Sequence, residues 1–131
     1  MKEYPSVAGS SRPTGYSHVV AASGGKLVYV AGQISLDETG AIVGAGDLGA
    51  QARQVFDNLG RALTAAGATF ADVIKLNTYV VGLDPSKLPL IRQARSGYLP
   101  ATNPPASTLV GVTALAMDGL LIEVEAVAHV E

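Results

Sequence analysis

Two segments near the end of the chain decide the fold that we predict: Asn103-Pro-Pro-Ala-Ser-Thr-Leu-Val-Gly-Val-Thr-Ala-Leu115 and Leu120-Leu-Ile-Glu-Val-Glu-Ala-Val-Ala-His129. Both are rich in β-branched residues, which favour extended backbone. Between them, Ala116-Met-Asp-Gly119 contains an Asp-Gly pair, which supplies the positive φ that a tight turn requires. The sequence therefore predicts a β-hairpin over residues 103–129.

The second segment has two different faces when it is extended. Alternation puts Ile122, Val124, Ala126 and Ala128 on one face, and Glu123, Glu125, Val127 and His129 on the other. The first face is apolar, which predicts packing on a core. Two carboxylates on the second face are costly to bury without partners, so that face is expected to meet water, a basic partner or another subunit.

Composition limits the class of protein. With 131 residues the chain is long enough for a single domain, which we assign to residues 1–131. It is 48% hydrophobic and 15% charged with a net charge of −2, typical of a globular protein with some tendency to self-associate. The nine lysines and arginines are scattered, so no nucleic-acid partner is expected. No apolar run approaches about twenty residues, so we expect no membrane association and a cytoplasmic location.

Cysteine and histidine chemistry is narrowly limited. The chain has no cysteine, which excludes disulfides, thiolate nucleophiles and cysteine metal sites. The two histidines, His18 and His129, do not have the spacing of metal ligands. We therefore expect no metal site.

The N-terminal third predicts an arm followed by strands. Proline, serine and glycine predict an irregular arm over residues 1–14. Two strand-like runs, His18–Ala22 and Lys26–Ala31, surround a Ser-Gly-Gly turn and predict a hairpin. Gly32 then indicates a bulge or, alternatively, a backbone N–H left open for a ligand. A turn and a short third strand are expected within residues 36–43.

Two helices and one more strand follow. Apolar residues recur at steps of three and four after Asp47, a predicted N-cap, up to Gly67, a predicted left-handed C-cap. Val73–Val81 alternates and predicts a strand. A second helix is expected to begin at Asp84-Pro85 and to end before Pro100.

The resulting order is three strands, a helix, a strand, a helix and two strands. The second helix would connect parallel strands. This is an α+β sheet with both helices on one face, and the simplest cover for the other face is a second copy of the chain.

Several of these stretches together resemble the RidA/YjgF family. The matching stretches lie in family order over roughly residues 15–130 and are Tyr16-Ser17, Val30-Ala-Gly-Gln-Ile-Ser35, Gln51-Ala-Arg-Gln-Val-Phe-Asp-Asn-Leu59, Asp72-Val-Ile-Lys-Leu-Asn77, Pro105-Ala-Ser-Thr-Leu-Val110 and Ile122-Glu-Val-Glu-Ala-Val-Ala128. The resemblance implies a chorismate-mutase-like single domain, with a mixed six-stranded sheet and two helices on one face. It also implies a homotrimer with a central barrel and small-molecule clefts at the subunit interfaces.

The resemblance further implies a chemistry and its residues. The best-known family activity hydrolyses reactive enamine and imine intermediates to 2-keto acids and ammonia without a metal or organic cofactor. By position, Glu123 and Tyr16 would position the attacking water, and the backbone N–H of Gly32 would bind the ligand. Ser107, or Ala106 if the register shifts by one residue, stands where deaminating members have an arginine that binds the substrate carboxylate, and neither side chain can form that charged bidentate pair.

Other polar residues are weaker candidates for the same site. Ser107 and Thr108 would donate hydrogen bonds near the ligand. Arg92 could replace the missing arginine, as could Arg95 one turn later, although arginines on a helix are more often solvated or paired. His18 is interpreted as a strand-surface histidine rather than a base.

Three functions remain open at this point. The first is a deaminase with an altered substrate range, which could include ligands without a carboxylate. The second is a trimer that binds a small metabolite without catalysis or regulates a partner, which the replacement of the arginine by Ser107 favours. The third is a protective or chaperone-like role through exposed apolar surface. An endoribonuclease or translation-inhibitor role, described for some family members, is disfavoured by the nearly neutral, arginine-poor surface.

Overall fold

The computed structural model describes residues 1–131 and contains six strands and two α-helices. In chain order they are β1 (Lys2–Glu3), β2 (Ala21–Ala22), β3 (Lys26–Gln33), α1 (Leu48–Ala65), β4 (Val73–Val81), α2 (Leu88–Ser96), β5 (Ala106–Val112) and β6 (Ile122–Val130). Short 3-10 helices precede β4 and α2. None of the helices is long and apolar enough to span a bilayer.

Four of the strands form one mixed sheet in the order β3-β6-β4-β5. Strand β6 is antiparallel to both of its neighbours, whereas β5 is parallel to β4. Helix α2 connects these two parallel strands, as predicted. The α+β class with two helices and a mixed sheet is therefore confirmed, although the six strands are divided between this sheet and a separate pair of β1 and β2.

The predicted hairpin over residues 103–129 is wrong. Strand β4 lies between β5 and β6, so the turn that includes Asp118-Gly119 leads across β4 rather than joining adjacent strands. The physical reason is burial. Strand β6 carries a continuous apolar face that begins at Ile122, and its central position in the sheet puts that face under helix α1, which buries it.

The predicted N-terminal hairpin is also wrong. Strand β2 pairs with β1 rather than with β3, so the arm is not irregular throughout. Gly24 and Gly25 do form the expected turn, with φ of +67° and +63°. The expected third strand is reduced to one bridge between Leu36 and Ile42, because the Asp37 carboxylate accepts nearby backbone N–H groups and closes a tight turn.

Helix α1 begins and ends where the sequence predicts, whereas the helix predicted from Asp84-Pro85 starts as a 3-10 turn over Pro85–Lys87 and becomes α-helical only at Leu88. The Asp47 side chain accepts the Ala50 N–H at 3.0 Å at the start of α1, and Gly67 adopts φ +75° after its end. Asp84 accepts the Ser86 N–H at 2.8 Å before α2. Both helices pack on the same face of the sheet, where they bury Phe56 and Ile91 among the apolar strand residues.

The opposite face of the sheet carries no helix. Leu27 and Tyr29 on β3 are 53% and 76% exposed there, and Glu123 and Glu125 on β6 are half-buried. We call this surface the open face. His129 is the exception on β6: it is buried, with its Nε2 2.8 Å from the Gly24 carbonyl oxygen in the turn before β3.

Candidate functional site

The first part of the candidate site is the contact between Glu123 and Gly32. The register of β3 against β6 shifts between Val30 and Gln33, so Gly32 lies in a β-bulge. A β-carbon at residue 32 would overlap the Glu123 carboxylate. The glycine therefore gives the carboxylate room to lie against the backbone of the bulge.

The two carboxylates of β6 have different surroundings. Glu125 accepts hydrogen bonds from the Tyr79 hydroxyl at 2.6 Å and from Asn77 Nδ2 at 3.1 Å. The bond from Tyr79 to Glu125 raises the pKa of the tyrosine, and burial raises it further. No other side chain of this chain donates a hydrogen bond to Glu123, whereas two donate to Glu125. Glu125 is thus held by its neighbours, whereas Glu123 is left for water or a ligand.

The second part of the site is the edge of the sheet at β5. Ser17 fixes the arm to this edge, since its N–H donates to the Pro105 carbonyl at 3.0 Å and its hydroxyl to Pro104 at 2.6 Å. Tyr16 is thereby placed beside the start of β5. Its ring meets the His18 ring edge-on with centroids 5.5 Å apart, and His18 is exposed with Nε2 2.6 Å from the Ser11 carbonyl oxygen.

Arg95 reaches this edge from α2. Its Nη1 donates to the Ser107 hydroxyl at 3.3 Å, and its Nη2 donates to the Gly15 carbonyl at 3.2 Å. Burial lowers the pKa of Arg95, and the nearby charge of Arg92 lowers it further. Of the two arginines that the sequence suggested, the structure thus puts Arg95 against residue 107 and leaves Arg92 exposed.

Thr108 is separated from Ser107 by the alternation of β5. Ser107 is paired with the buried Leu76 and faces the helices, whereas Thr108 is paired with Asn77 and belongs to the open face. The Thr108 hydroxyl accepts a hydrogen bond from Lys75 Nζ at 2.8 Å. The two hydroxyls therefore do not act on one ligand.

The two parts of the candidate site do not meet within one chain. Glu123 is paired with Tyr79 and lies on the open face, whereas Ser107 is paired with Leu76 and lies on the helix face. Two strand spacings and three residues separate them, which corresponds to about 14 Å. Tyr16 and Glu123 are therefore not brought together around one ligand by a single chain.

Comparison with known proteins identifies the family. Residues 9–130 match the family model described as Endoribonuclease L-PSP, the model of RidA/YjgF proteins. The chain belongs to the RidA/YjgF family. A RutC family protein of Pyrococcus horikoshii is 37% identical over the full length of both chains. The crystal structure of the Rid-family protein YyfB from Yersinia pestis superposes with a TM-score of 0.90 at 40% identity, covering 98% of each chain.

Two further RidA/YjgF relatives carry names of activities. The 3-aminoacrylate deaminase RutC of Acinetobacter baylyi is 34% identical, over 86% of each chain. The human 2-iminobutanoate/2-iminopropanoate deaminase is 33% identical, over 79% of this chain and 72% of its own length. The resemblance inferred from the sequence is thus confirmed at the level of family and fold.

The sequence reasoning missed the partners of Glu125. Tyr79 and Asn77 alternate with buried residues on β4, and the two acidic residues alternate on β6, so both patterns were visible. The sequence patterns do not show that β4 and β6 are adjacent, or that their register brings Tyr79 and Asn77 to Glu125.

Proposed function

We propose that the protein hydrolyses reactive enamine and imine intermediates to 2-keto acids and ammonia. The observation that carries this proposal is the Glu123 carboxylate, which lies against the Gly32 bulge without a hydrogen bond from its own protomer. The names of the human and Acinetobacter relatives, an imine deaminase and an aminoacrylate deaminase, support the same reaction class.

Glu123 is suited to act on the attacking water. As the water oxygen bonds to the imine carbon, Glu123 accepts one water proton, the electron pair of the C=N double bond moves to nitrogen, and Glu123 passes its proton to that nitrogen to give a carbinolamine. Glu123 then accepts the hydroxyl proton and delivers it to the nitrogen as the C–N bond breaks, so that ammonia leaves and a carbonyl forms. General acid–base catalysis of this kind typically contributes about 10²–10⁴ in rate.

A neighbouring copy would complete the site. The parts around Glu123 and Ser107 are about 14 Å apart on opposite faces, so a second chain must supply the missing part. The open face, with Leu27 and Tyr29 exposed, is the surface on which copies would meet. We propose the homotrimer that the sequence suggests, with its open faces around a central barrel and a cleft at each interface.

A trimer that binds a metabolite without catalysis is the second candidate. The observation that favours it is Ser107, which cannot form a charged pair with a substrate carboxylate. An endoribonuclease, despite the description of the family model, is disfavoured because the net charge is −2 and the nine basic residues are scattered.

Ammonia and keto-acid release would test the deaminase proposal. The substrates are 2-aminoacrylate and its four-carbon analogue, generated in the assay by a dehydratase. Two matched variants each replace one of the two glutamates of β6 with glutamine. We expect Glu123→Gln to lower kcat by about 100-fold or more. Glu125→Gln should stay within about threefold, since an amide oxygen can still accept from Tyr79.

Two results would overturn the proposal. The first is a wild-type protein that releases no keto acid above the uncatalysed rate, and the second is Glu123→Gln at the wild-type rate. In the first case, binding of a keto acid by the silent protein would favour the metabolite-binding trimer.

A further inference from the structure

Arg95 is a half-buried cation without an acidic partner. Both of its acceptors, the Ser107 hydroxyl and the Gly15 carbonyl, are neutral, and the distances of 3.3 and 3.2 Å are long for a guanidinium. None of the salt bridges of the protein includes Arg95. A guanidinium has five N–H donors, so three remain for another acceptor.

Helix position alone does not explain this arrangement. Arg95 lies in the last turn of α2, where a cation interacts favourably with the helix dipole. An arginine that interacted only with the helix dipole could remain solvated at the end of α2. Its guanidinium instead extends to β5 and to the backbone before Tyr16. It gives up hydration there without gaining a carboxylate, as the lowered pKa of Arg95 reflects.

We propose that Arg95 binds the carboxylate of the substrate and so replaces, from α2, the arginine that the family resemblance expects at residue 107. This inference rests on the proposed function and names its substrate class: 2-imino acids rather than electrophiles without a carboxylate. The planar fork of the guanidinium suits a bidentate pair with a carboxylate. Because Gly15 precedes Tyr16 in the chain, Arg95 also holds the tyrosine segment at this edge.

Ser107 is part of the replacement. Its small hydroxyl accepts the hydrogen bond from Arg95 Nη1 and leaves the guanidinium room beside β5. A long arginine side chain at residue 107 would compete with the Arg95 guanidinium for the same space beside β5 and would displace it. We therefore expect Ser107→Arg to weaken carboxylate binding rather than to restore it.

Binding of a product analogue would test this role without any turnover. Calorimetric titration with 2-oxobutanoate and with its neutral amide would compare the wild type, Arg95→Gln and Arg53→Gln. Arg53 is an exposed arginine on α1 and gives the same change in charge. We expect Arg95→Gln to lose about tenfold or more in affinity for the acid, the cost typical of a lost charged hydrogen bond. Its affinity for the amide should change less than threefold, and Arg53→Gln should resemble the wild type.

The outcomes separate this inference from the proposed function. Wild-type affinity of Arg95→Gln for 2-oxobutanoate would overturn the role of Arg95, even if the enzyme hydrolyses imines. If Arg95→Gln loses affinity for 2-oxobutanoate and the wild-type protein shows no turnover, the carboxylate site at Arg95 is kept and the deaminase proposal is rejected. If Arg95→Gln melts well below the wild type, Arg95→Lys keeps the charge without the fork and should still weaken binding of the acid selectively. Tighter binding of 2-oxobutanoate by Ser107→Arg would contradict the proposal that Arg95 replaces an arginine at residue 107.

Discussion

At the scale of single residues, Gly32 and Glu123 depend on each other. Gly32 is not among the glycines with positive φ, so its backbone conformation is open to other residues. What requires a glycine is the close approach of the Glu123 carboxylate, which fills the place of a side chain. The position of the carboxylate is thus set by the bulge in β3 as much as by its own strand.

We expect Gly32→Ala to remove activity while the fold is kept. The added methyl group would displace the Glu123 carboxylate, and a displacement of about 1 Å can cost about 100-fold in rate. Keto-acid release and thermal melting would be measured together. Gly97→Ala is the control, because its φ is −79° and a β-carbon there meets its nearest neighbour at 3.7 Å. A variant at residue 32 with wild-type kcat would contradict the role of the contact.

The sequence indicates some of these residues and not their arrangement. Glu123, Tyr16 and Gly32 follow from position within the family pattern. The choice of Arg95 over Arg92 for the proposed carboxylate contact does not, because both arginines lie on the same short helix. Only the packing of α2 against β5 decides which of the two reaches Ser107.

At the scale of elements, one buried glutamine of α1 connects three parts of the chain. Gln51 is fully buried, and its Nε2 donates to the Gly119 carbonyl at 2.9 Å and to the Gly44 carbonyl at 3.2 Å. Its Oε1 accepts the Leu121 N–H at 2.8 Å. The side chain therefore fixes both the loop before α1 and the turn that leads into β6.

We expect Gln51→Leu to destabilise the protein by about 2–4 kcal/mol, because three backbone groups would lose their partner in a buried place. Chemical denaturation with a linear extrapolation would measure the change in the free energy of unfolding. Gln93→Leu on the exposed side of α2 is the control and should change stability by less than about 0.5 kcal/mol. A loss below about 1 kcal/mol at Gln51 would show that water replaces the lost bonds.

Helices were predictable in this chain, and strand pairing was not. The limits of α1 follow from local signals, namely the cap at Asp47, the apolar stripe and Gly67. Pairing joins residues that are far apart in sequence, such as Tyr79 and Glu123. An Asp-Gly turn indicates where the chain reverses but not whether a third strand, here β4, is inserted between the two arms.

At the scale of the whole molecule, the open face has the features of a contact surface. Tyr29 is 76% exposed and Leu27 53% exposed on β3, and Val110 is 40% exposed on β5. Large apolar side chains grouped on one exposed face commonly mark an interface. Copies of this chain are the partner that we propose, since a second copy would also complete the proposed site.

We expect Tyr29→Glu to reduce the assembly to monomers. A carboxylate at the centre of an apolar interface would lose water without gaining a partner. Light scattering after size-exclusion chromatography would give the mass. Thr64→Glu on the exposed surface of α1 is the control and should keep the wild-type mass. An unchanged assembly with Tyr29→Glu would place the interface elsewhere.

The most direct test of the central claim, a site built from two copies, is complementation between two variants that are each impaired in one part of the site. Glu123→Gln and Arg95→Gln would be co-expressed with different tags, and mixed assemblies would be purified and assayed for keto-acid release. Each variant supplies the part that the other lacks. A mixed trimer contains two copies of one variant and one of the other, so roughly one of its three sites contains both native parts. We predict recovery to about that fraction of the wild-type rate. A mixture no more active than its separate parents would contradict a shared site.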